Sequence, residues 1–217
     1  NHNLSINGGS AKTKYMASIN FMDRQGVVDG SHMNRLNIRS LLSSKVLKER
    51  LELSVGLNAM YGKNENMSMG KGGNGSGNEG KSVLDAMNYF NPTIPIKNAD
   101  GTWSTGDGSA NYNPLSIINE DPSETIWKRN QIVAKASLKI IEGLVWNANY
   151  SFDHFQSTFS SYHSHSTQLV PYNAYNGTAN RSTYFGSNHT FETYVNYDHT
   201  FAKVHKLALM AGYSWEE

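Results

Sequence analysis

Aromatic side chains within polar segments are the residues of this sequence best suited to hold a ligand. A ring at a surface can stack on the flat face of a sugar or on another ring, and the Tyr hydroxyl or Trp N–H adds a hydrogen bond. Ordinary packing inside a loop is the alternative role for each of them. Five such residues are predicted to contact a substrate, namely Trp103, Tyr112, Tyr162, Tyr172 and Tyr175.

The sequence lacks the residue patterns of an enzyme or a metal site. We find no nucleophile, base and acid at suitable spacing, and we predict no catalytic residues and no cofactor. Histidine is a common metal ligand. However, His154, His163 and His165 lie in a Ser-rich segment of a chain without Cys, where solvated side chains are expected. The glycine-rich stretch 70–77 lacks the Lys-Ser/Thr ending of a phosphate-binding loop.

Composition limits the class of protein. Charged residues make up 17% of the sequence and the formal net charge is +1, which leaves no basic field for nucleic acid. No apolar run approaches the roughly 20 residues of a membrane helix. The absence of Cys excludes a disulfide framework, whereas 12 Tyr and 4 Trp suit surfaces that are apolar on one side and wet on the other.

The segment from Gln131 to Asp153 predicts a β-hairpin with one apolar and one polar face, because successive side chains of a strand point to opposite faces. Each arm has about ten residues, enough to cross a bilayer when tilted. Aromatic residues flank Ala148 on the second arm, as in the girdles of a membrane barrel, and Trp127 is predicted to join such a belt. A soluble hairpin is the alternative for this segment alone. The apolar positions are Ile132, Ala134, Ala136, Leu138 and Ile140, then Leu144, Trp146, Ala148, Tyr150 and Phe152.

The same alternation predicts about eight strands, of which Leu51 to Tyr61 is the clearest. Short and long connections alternate along the chain, and the long ones are placed at 62–125 and 155–182. Outer-membrane barrels alternate short periplasmic turns with longer extracellular loops in this way. We therefore predict an all-β fold in which residues 1–217 form a partial antiparallel transmembrane β-barrel with two extracellular loops. Within the first loop, Ser82 is predicted to cap a short helix.

Several segments resemble SusC/RagA-type TonB-linked outer-membrane transporters, and they occur in the order of that family. The first lies between His2 and Val28 and matches the start of the family's barrel, and the next is the strand at 35–39. Asn91 to Ile96, Asp100 to Trp103 and Asn113 to Leu115 resemble its long extracellular loop, and 201–213 resembles a later turn and strand.

The resemblance implies a barrel of about 22 antiparallel strands around a plugged lumen, located in the bacterial outer membrane. It implies active uptake of large nutrients, chiefly glycan oligosaccharides and sometimes peptides, with a SusD-like lipoprotein on the outer face. Energy would come from the TonB complex. The plug domain and the TonB-binding segment are expected to lie outside this chain, which is therefore interpreted as a fragment.

Two other interpretations remain open at this stage. One is a complete small barrel of about eight strands, whose interior would be filled by side chains. The other is a soluble β-sandwich that binds carbohydrate or acts as an adhesin. The transporter interpretation requires Ala134, Leu138, Ala148, Leu209 and Ala211 to face lipid.

Overall fold

Eight antiparallel strands in sequence order form one sheet. The computed structural model describes residues 1–66, 82–106, 112–169 and 174–217. The strands are β1 (His2–Gly9), β2 (Thr13–Gln25), β3 (His32–Val46), β4 (Leu51–Asn66), β5 (Ser123–Ile141), β6 (Leu144–His163), β7 (Thr178–Phe201) and β8 (His205–Glu216), and the helices are α1 (Val83–Tyr89) and α2 (Pro114–Glu120).

The sheet is open, because β1 pairs only with β2 and β8 only with β7. This finding contradicts a complete eight-stranded barrel, which needs β1 and β8 to pair with each other. It also contradicts a sandwich, which needs two packed sheets. The prediction of an all-β, partial antiparallel barrel of about eight strands is confirmed.

The predicted hairpin forms with the expected pairing. Ile132 lies opposite Phe152 and Ala136 lies opposite Ala148, so the apolar residues of the two arms share one face. Gly143 closes the turn with a φ of 80°, a left-handed conformation that glycine adopts without steric cost. A register shift between Lys139 and Ile141 adjusts the last residues before the turn.

Residues directly opposite each other in neighbouring strands point to the same side of the sheet. The register pairs apolar residues with apolar residues, so one face of the whole sheet is apolar. We call it the apolar face and the other the polar face. Many side chains of the apolar face are exposed to solvent; Leu4 and Leu209, for example, are 71% and 57% accessible. An apolar surface of this extent marks a contact with another apolar phase or partner. Its central residues are Ala17, Ile19, Ile38, Val55, Leu57, Ala134, Ala136, Ala148, Val195, Leu209 and Ala211.

Aromatic residues border this apolar stretch on both sides. Towards one end lie Phe21, Tyr61, Tyr150, Phe152, Phe191, Tyr213 and Trp215, and towards the other lie Tyr15, Trp146, Tyr197 and Phe201. Such a pair of belts is typical of strands that cross a bilayer.

The two ends of the sheet differ in their connections. At the turn end the strands are joined by residues 10–12, 47–50, 142–143 and 202–204. At the loop end they are joined by 26–31, 67–122 and 164–177. The predicted alternation of short and long connections is therefore present in the fold.

The strands reach further into the loop end than the alternation indicated. β4 continues to Asn66 and β5 starts at Ser123, while β6 runs to His163 and β7 starts at Thr178. The loops predicted at 62–125 and 155–182 are shorter accordingly. Ser157, Ser160 and Ser161 explain the error, because strand residues with polar side chains on both faces show no alternation.

α1 begins after Ser82, as predicted. The Ser82 hydroxyl accepts the Asp85 N–H at 3.1 Å, and the Asp85 carboxylate accepts the Ser82 N–H at 3.1 Å. This reciprocal arrangement is a capping box. Neither α1 nor α2 has the length and apolarity that a membrane-crossing helix needs, and no other helix occurs in the described ranges.

Candidate functional site

The connections at the loop end pack around a small apolar core, which we call the loop core. Val83 and Ala86 of α1 meet Ile117 of α2, and all three side chains are almost fully buried. Leu169 from the last long connection completes the contact, with Val28 of the first connection packed against it. The loop core therefore ties three separate connections into one ordered body. Its buried members are Val83, Ala86, Tyr112, Ile117 and Leu169.

Asn113 joins two of these connections through hydrogen bonds. Its side-chain oxygen accepts the Leu115 N–H at 3.0 Å and so caps α2, whose first residue is Pro114. Its amide donates to the Ile96 carbonyl at 2.8 Å, and its backbone N–H donates to Oε1 of Gln168 at 2.9 Å. A buried residue with three hydrogen-bond partners, two at its side chain and one at its backbone N–H, holds the two loops in one relative position.

Asp121 makes a second set of buried polar contacts at the loop end. Its carboxylate lies 2.6 Å from Nδ1 of His163 and accepts the Thr167 hydroxyl at 2.8 Å on both oxygens. Burial raises the pKa of Asp121, and the contacts with His163 and Thr167 partly oppose that rise. The three residues join the end of α2, the end of β6 and the connection that follows it.

Glu120 forms a second, more exposed cluster beside the first. It accepts the Trp103 indole N–H at 2.8 Å and the Ser166 hydroxyl at 2.8 Å, and it also accepts the Ser164 hydroxyl. These bonds, the one from Ser164 first, lower the pKa of Glu120. Lys97 lies 4.4 Å from the centre of the Trp103 ring, so the indole is engaged both at its N–H and on a face.

The predicted ligand aromatics have unequal access to solvent. Trp103 is half-buried by its two partners, and Tyr112 is 8% exposed inside the loop core, so packing is the role the structure assigns to Tyr112. Tyr162 and Tyr175 are 48% and 56% exposed. Tyr162 was predicted in a loop but belongs to β6. Tyr172 lies outside the described residues.

A group of aromatic rings on the polar face was missed by the sequence analysis. Trp127 lies opposite Gly62 and Ser157, both on the polar face, so its assignment to a membrane belt is wrong. Strict alternation from Ile132 back along β5 is the signal that places Trp127 on the polar face. We call the group, Trp127, Phe155, Phe159 and Tyr184, the aromatic patch.

Glycines leave room for two rings of the aromatic patch. A Cβ on Gly62 would lie 2.3 Å from the Trp127 ring, and one on Gly186 would lie 2.8 Å from the Phe155 ring. The Phe155 and Tyr184 ring centres are 5.4 Å apart. The Arg129 guanidinium borders the patch and donates from Nε to both oxygens of Asp153 at 3.0 Å. Exposed rings next to a charged pair suit a ligand with both apolar and polar surfaces.

A cavity of about 670 Å³ separates the loop core from the ends of the strands. Ile118 and Tyr162 supply apolar wall, and Glu65, Glu124 and Arg181 supply charge. Lys63 bridges the two carboxylates, with its Nζ 3.1 Å from an oxygen of each, so its single charge offsets one of the two. The volume of the cavity falls in the range of small-molecule sites.

The histidines take separate positions. His163 contacts Asp121, and His154 lies on the apolar face beside the Phe152 ring. Across the ranges that the structure describes, no three His, Cys, Asp or Glu side chains are arranged to hold a metal ion.

Three curated proteins of Formosa agariphila are similar to this chain, and all are TonB-dependent receptors. TonB-dependent receptor P3 is 26% identical over all of the chain, P39 is 23% identical over 98% of it, and P26 is 24% identical over all of it. The chain spans 21%, 19% and 21% of their lengths, respectively. No protein-family profile matches the chain.

Solved structures of the RagAB peptide transporter have the same fold. One superposes with a TM-score of 0.76 at 19% identity and covers 99% of this chain and 24% of that chain. The closed-closed state of the RagAB peptide importer gives 0.75 at 18% identity. The chain is therefore similar over its length to a part of TonB-dependent receptors, and it has the fold of a part of the RagAB transporter. The predicted SusC/RagA resemblance is thereby confirmed.

The structure separates the predicted site residues of this chain into groups. Trp103 and Tyr112 belong to the packed loop body, whereas Tyr162 and Tyr175 are exposed at the loop end. The aromatic patch lies on the polar face of β5, β6 and β7. Exposed rings are thus available both at the loop end and on the polar face of the sheet.

Proposed function

We propose that this chain forms part of the wall of an outer-membrane active transporter that imports large nutrients, oligosaccharides or peptides. The observation that carries the proposal is the exposed apolar face with aromatic belts on both sides. Burying such a face in lipid removes it from water, at a gain of about 25 cal/mol for each Å² of apolar area. The role of the chain in this proposal is transport and not catalysis.

The membrane position follows from the two belts. The apolar face lies against lipid and the polar face against a water-filled lumen. The turn end faces the periplasm and the loop end the medium, as in other outer-membrane barrels. The bacterial outer membrane is therefore the proposed location, and residues 67–122 and 164–177 are the proposed extracellular loops.

The aromatic patch is proposed to contact the nutrient during its passage. Rings such as Tyr184, which is 68% exposed, can stack on sugars or on peptide side chains, and Arg129 with Asp153 can exchange hydrogen bonds with polar groups. The similar RagAB protein is a peptide transporter, which supports a peptide as one candidate cargo. Tyr162 and Tyr175 are proposed as contacts for the nutrient at the outer rim, with Trp103 and Tyr172 as further candidates.

The proposed partners act at opposite ends. A SusD-like surface lipoprotein would cover the loop end, where the loop core offers an ordered surface. The TonB complex would act from the periplasm through a plug and a TonB-binding segment elsewhere in the receptor. The chain spans about a fifth of its curated relatives, so these parts of the mechanism are carried by other regions.

The test uses the full-length receptor in its native cells. We expect it in the outer-membrane fraction, extractable only by detergent, with a shift in gel mobility on boiling. Uptake of oligosaccharides and of peptides, each radiolabelled, should then identify a cargo whose import stops when the receptor gene or TonB is deleted. A water-soluble product without a mobility shift would contradict the proposal. So would unchanged uptake of every cargo in the deletion strain.

A further inference from the structure

A groove of about 640 Å³ lies at the turn end, between the β3–β4 turn and the last residues of β5. It combines apolar and cationic side chains. Those lining it are Leu47, Lys48, Arg50, Leu138, Lys139 and Ile140.

The backbone holds the cationic side of the groove in place. Arg50 donates its N–H to the Leu47 carbonyl at 3.2 Å, which closes the turn. Lys139 donates its N–H to the Arg50 carbonyl at 2.8 Å, which fastens the turn to β5. Lys48 lies inside this turn, so the three cations occupy adjoining positions on two connected elements.

These cations have no acidic partner within the described ranges. Lys48, Arg50 and Lys139 form no ion pair there, and neither do Glu49 and Glu142, the acidic residues of the two turns. The charge of the three side chains is therefore available to an anion from outside the chain.

The apolar side of the groove continues the apolar face. Leu138 lies opposite Leu51 and Trp146 on that face, and Leu47 and Ile140 are 65% and 44% exposed. Hydrocarbon that covers the apolar face would extend into the groove. A free inorganic anion would leave these apolar side chains in contact with water.

We propose that this groove binds an anionic phospholipid. The phosphate lies against Lys48 and Arg50 of the β3–β4 turn, and an acyl chain lies against Leu138 and Ile140. Arg pairs with phosphate through two parallel hydrogen bonds, and Lys adds a compact charge. Basic pockets at the membrane surface recognise anionic headgroups in this way. The inference rests on the proposed membrane position of the sheet, which brings the turn end to the periplasmic leaflet.

The test measures lipid binding by the full-length receptor in nanodiscs of phosphatidylcholine with increasing phosphatidylglycerol, read by native mass spectrometry of the lipids retained. We expect the double variant K48A/R50A to bind phosphatidylglycerol about fivefold more weakly for each cation removed, or about 25-fold in all. The matched control K12A/K203A removes two cations from other turns of the same end and should bind as the wild type does. The charge-preserving variant K48R/R50K should also retain the lipid.

Three results would overturn the inference. They are equal retention of phosphatidylcholine and phosphatidylglycerol by the wild type, equal losses in K48A/R50A and K12A/K203A, and displacement of the lipid by inorganic phosphate alone. The mobility shift on boiling is measured in the same preparations. A wild type without the shift contradicts the membrane position itself, whereas a shifted wild type without lipid selectivity contradicts the groove alone.

Discussion

Asp121 and His163 connect the long loop after β4 to the end of β6, with Oδ1 of Asp121 2.6 Å from Nδ1 of His163. The Asp121 side chain has no solvent exposure and also accepts the Thr167 hydroxyl. One carboxylate therefore links segments that are distant in sequence, next to the loop core.

Replacing Asp121 by Ala should loosen the loop end. The change removes the acceptor of the buried Thr167 hydroxyl and one partner of the partly buried His163 ring, at a cost of about 1–3 kcal/mol. We expect faster hydrogen exchange and faster proteolysis in 112–122 and 164–169, with the strands unaffected. D100A is the control, because Asp100 is exposed and accepts only from Thr102 nearby. Equal loosening by both variants would rule out a special role for the Asp121 link.

Glu120 and Asp121 should give the loop core opposite responses to pH. The lowered pKa of Glu120 means that its contribution to stability is present above its unfolded pKa and is lost as pH falls through the folded value. The raised pKa of Asp121 means that its contribution is present below its unfolded pKa and is lost as pH rises through the folded value.

Hydrogen-exchange protection factors of the loop amides between about pH 3 and pH 7 will separate the two effects. E120Q should remove the loss of protection on the acid side. D121N should remove the loss of protection that begins when the pH rises above the usual pKa range of an Asp carboxyl. Identical pH profiles for the wild type and both variants would contradict these assignments.

Neighbouring residues of β6 should differ in how well they tolerate an introduced charge. Ala148 lies on the apolar face and Asn147 on the polar face. Ala148→Arg should destabilise the barrel by about 2–4 kcal/mol, while Asn147→Arg should be nearly neutral. Unfolding titrations of the full-length receptor in lipid bilayers measure the difference. Equal tolerance at both positions would contradict the proposed orientation of the sheet.

A side chain at Gly62 should displace the Trp127 ring, since a Cβ there would lie 2.3 Å from it. We expect Gly62→Ala to cost about 1–3 kcal/mol by overpacking and to shift the Trp fluorescence. Gly56→Ala on the same strand is the control, because its Cβ would meet its nearest atom at 3.6 Å. The second change Trp127→Leu should offset much of the cost of Gly62→Ala. A full cost retained in that double variant would exclude the ring as the cause.

The barrel could be predicted because its signal is local and repeated. Residues such as Ala136 and Ala148 alternate with polar neighbours. This period of two identifies the segment as a strand and shows which face of the sheet each side chain is on. The alternation vanishes where both faces meet water, and so the outer parts of β6 and β7 were assigned to a loop. Trp127 was assigned to the belt from its type, whereas its parity along β5 places it on the polar face.

The loop core could not be predicted in the same way. Tyr112 looked like a surface ring because its neighbours in sequence are polar, yet Val83, Ile117 and Leu169 bury it from distant parts of the chain. The Asp121 contacts likewise depend on how two loops meet in space. The Ser82 cap could be predicted, because it involves residues three apart in the sequence.

β6 is longer than a strand needs to be to cross a membrane. From Phe152, in the aromatic belt, to Tyr162, near the end of the strand, β6 extends about 33 Å along its own axis, at roughly 3.3 Å per residue. In the proposed orientation, the wall therefore extends beyond the lipid surface and surrounds the entrance. In the proposed transporter, a nutrient released from a rim contact such as Tyr175 would remain beside the wall, where the aromatic patch can bind it again before it diffuses back to the medium.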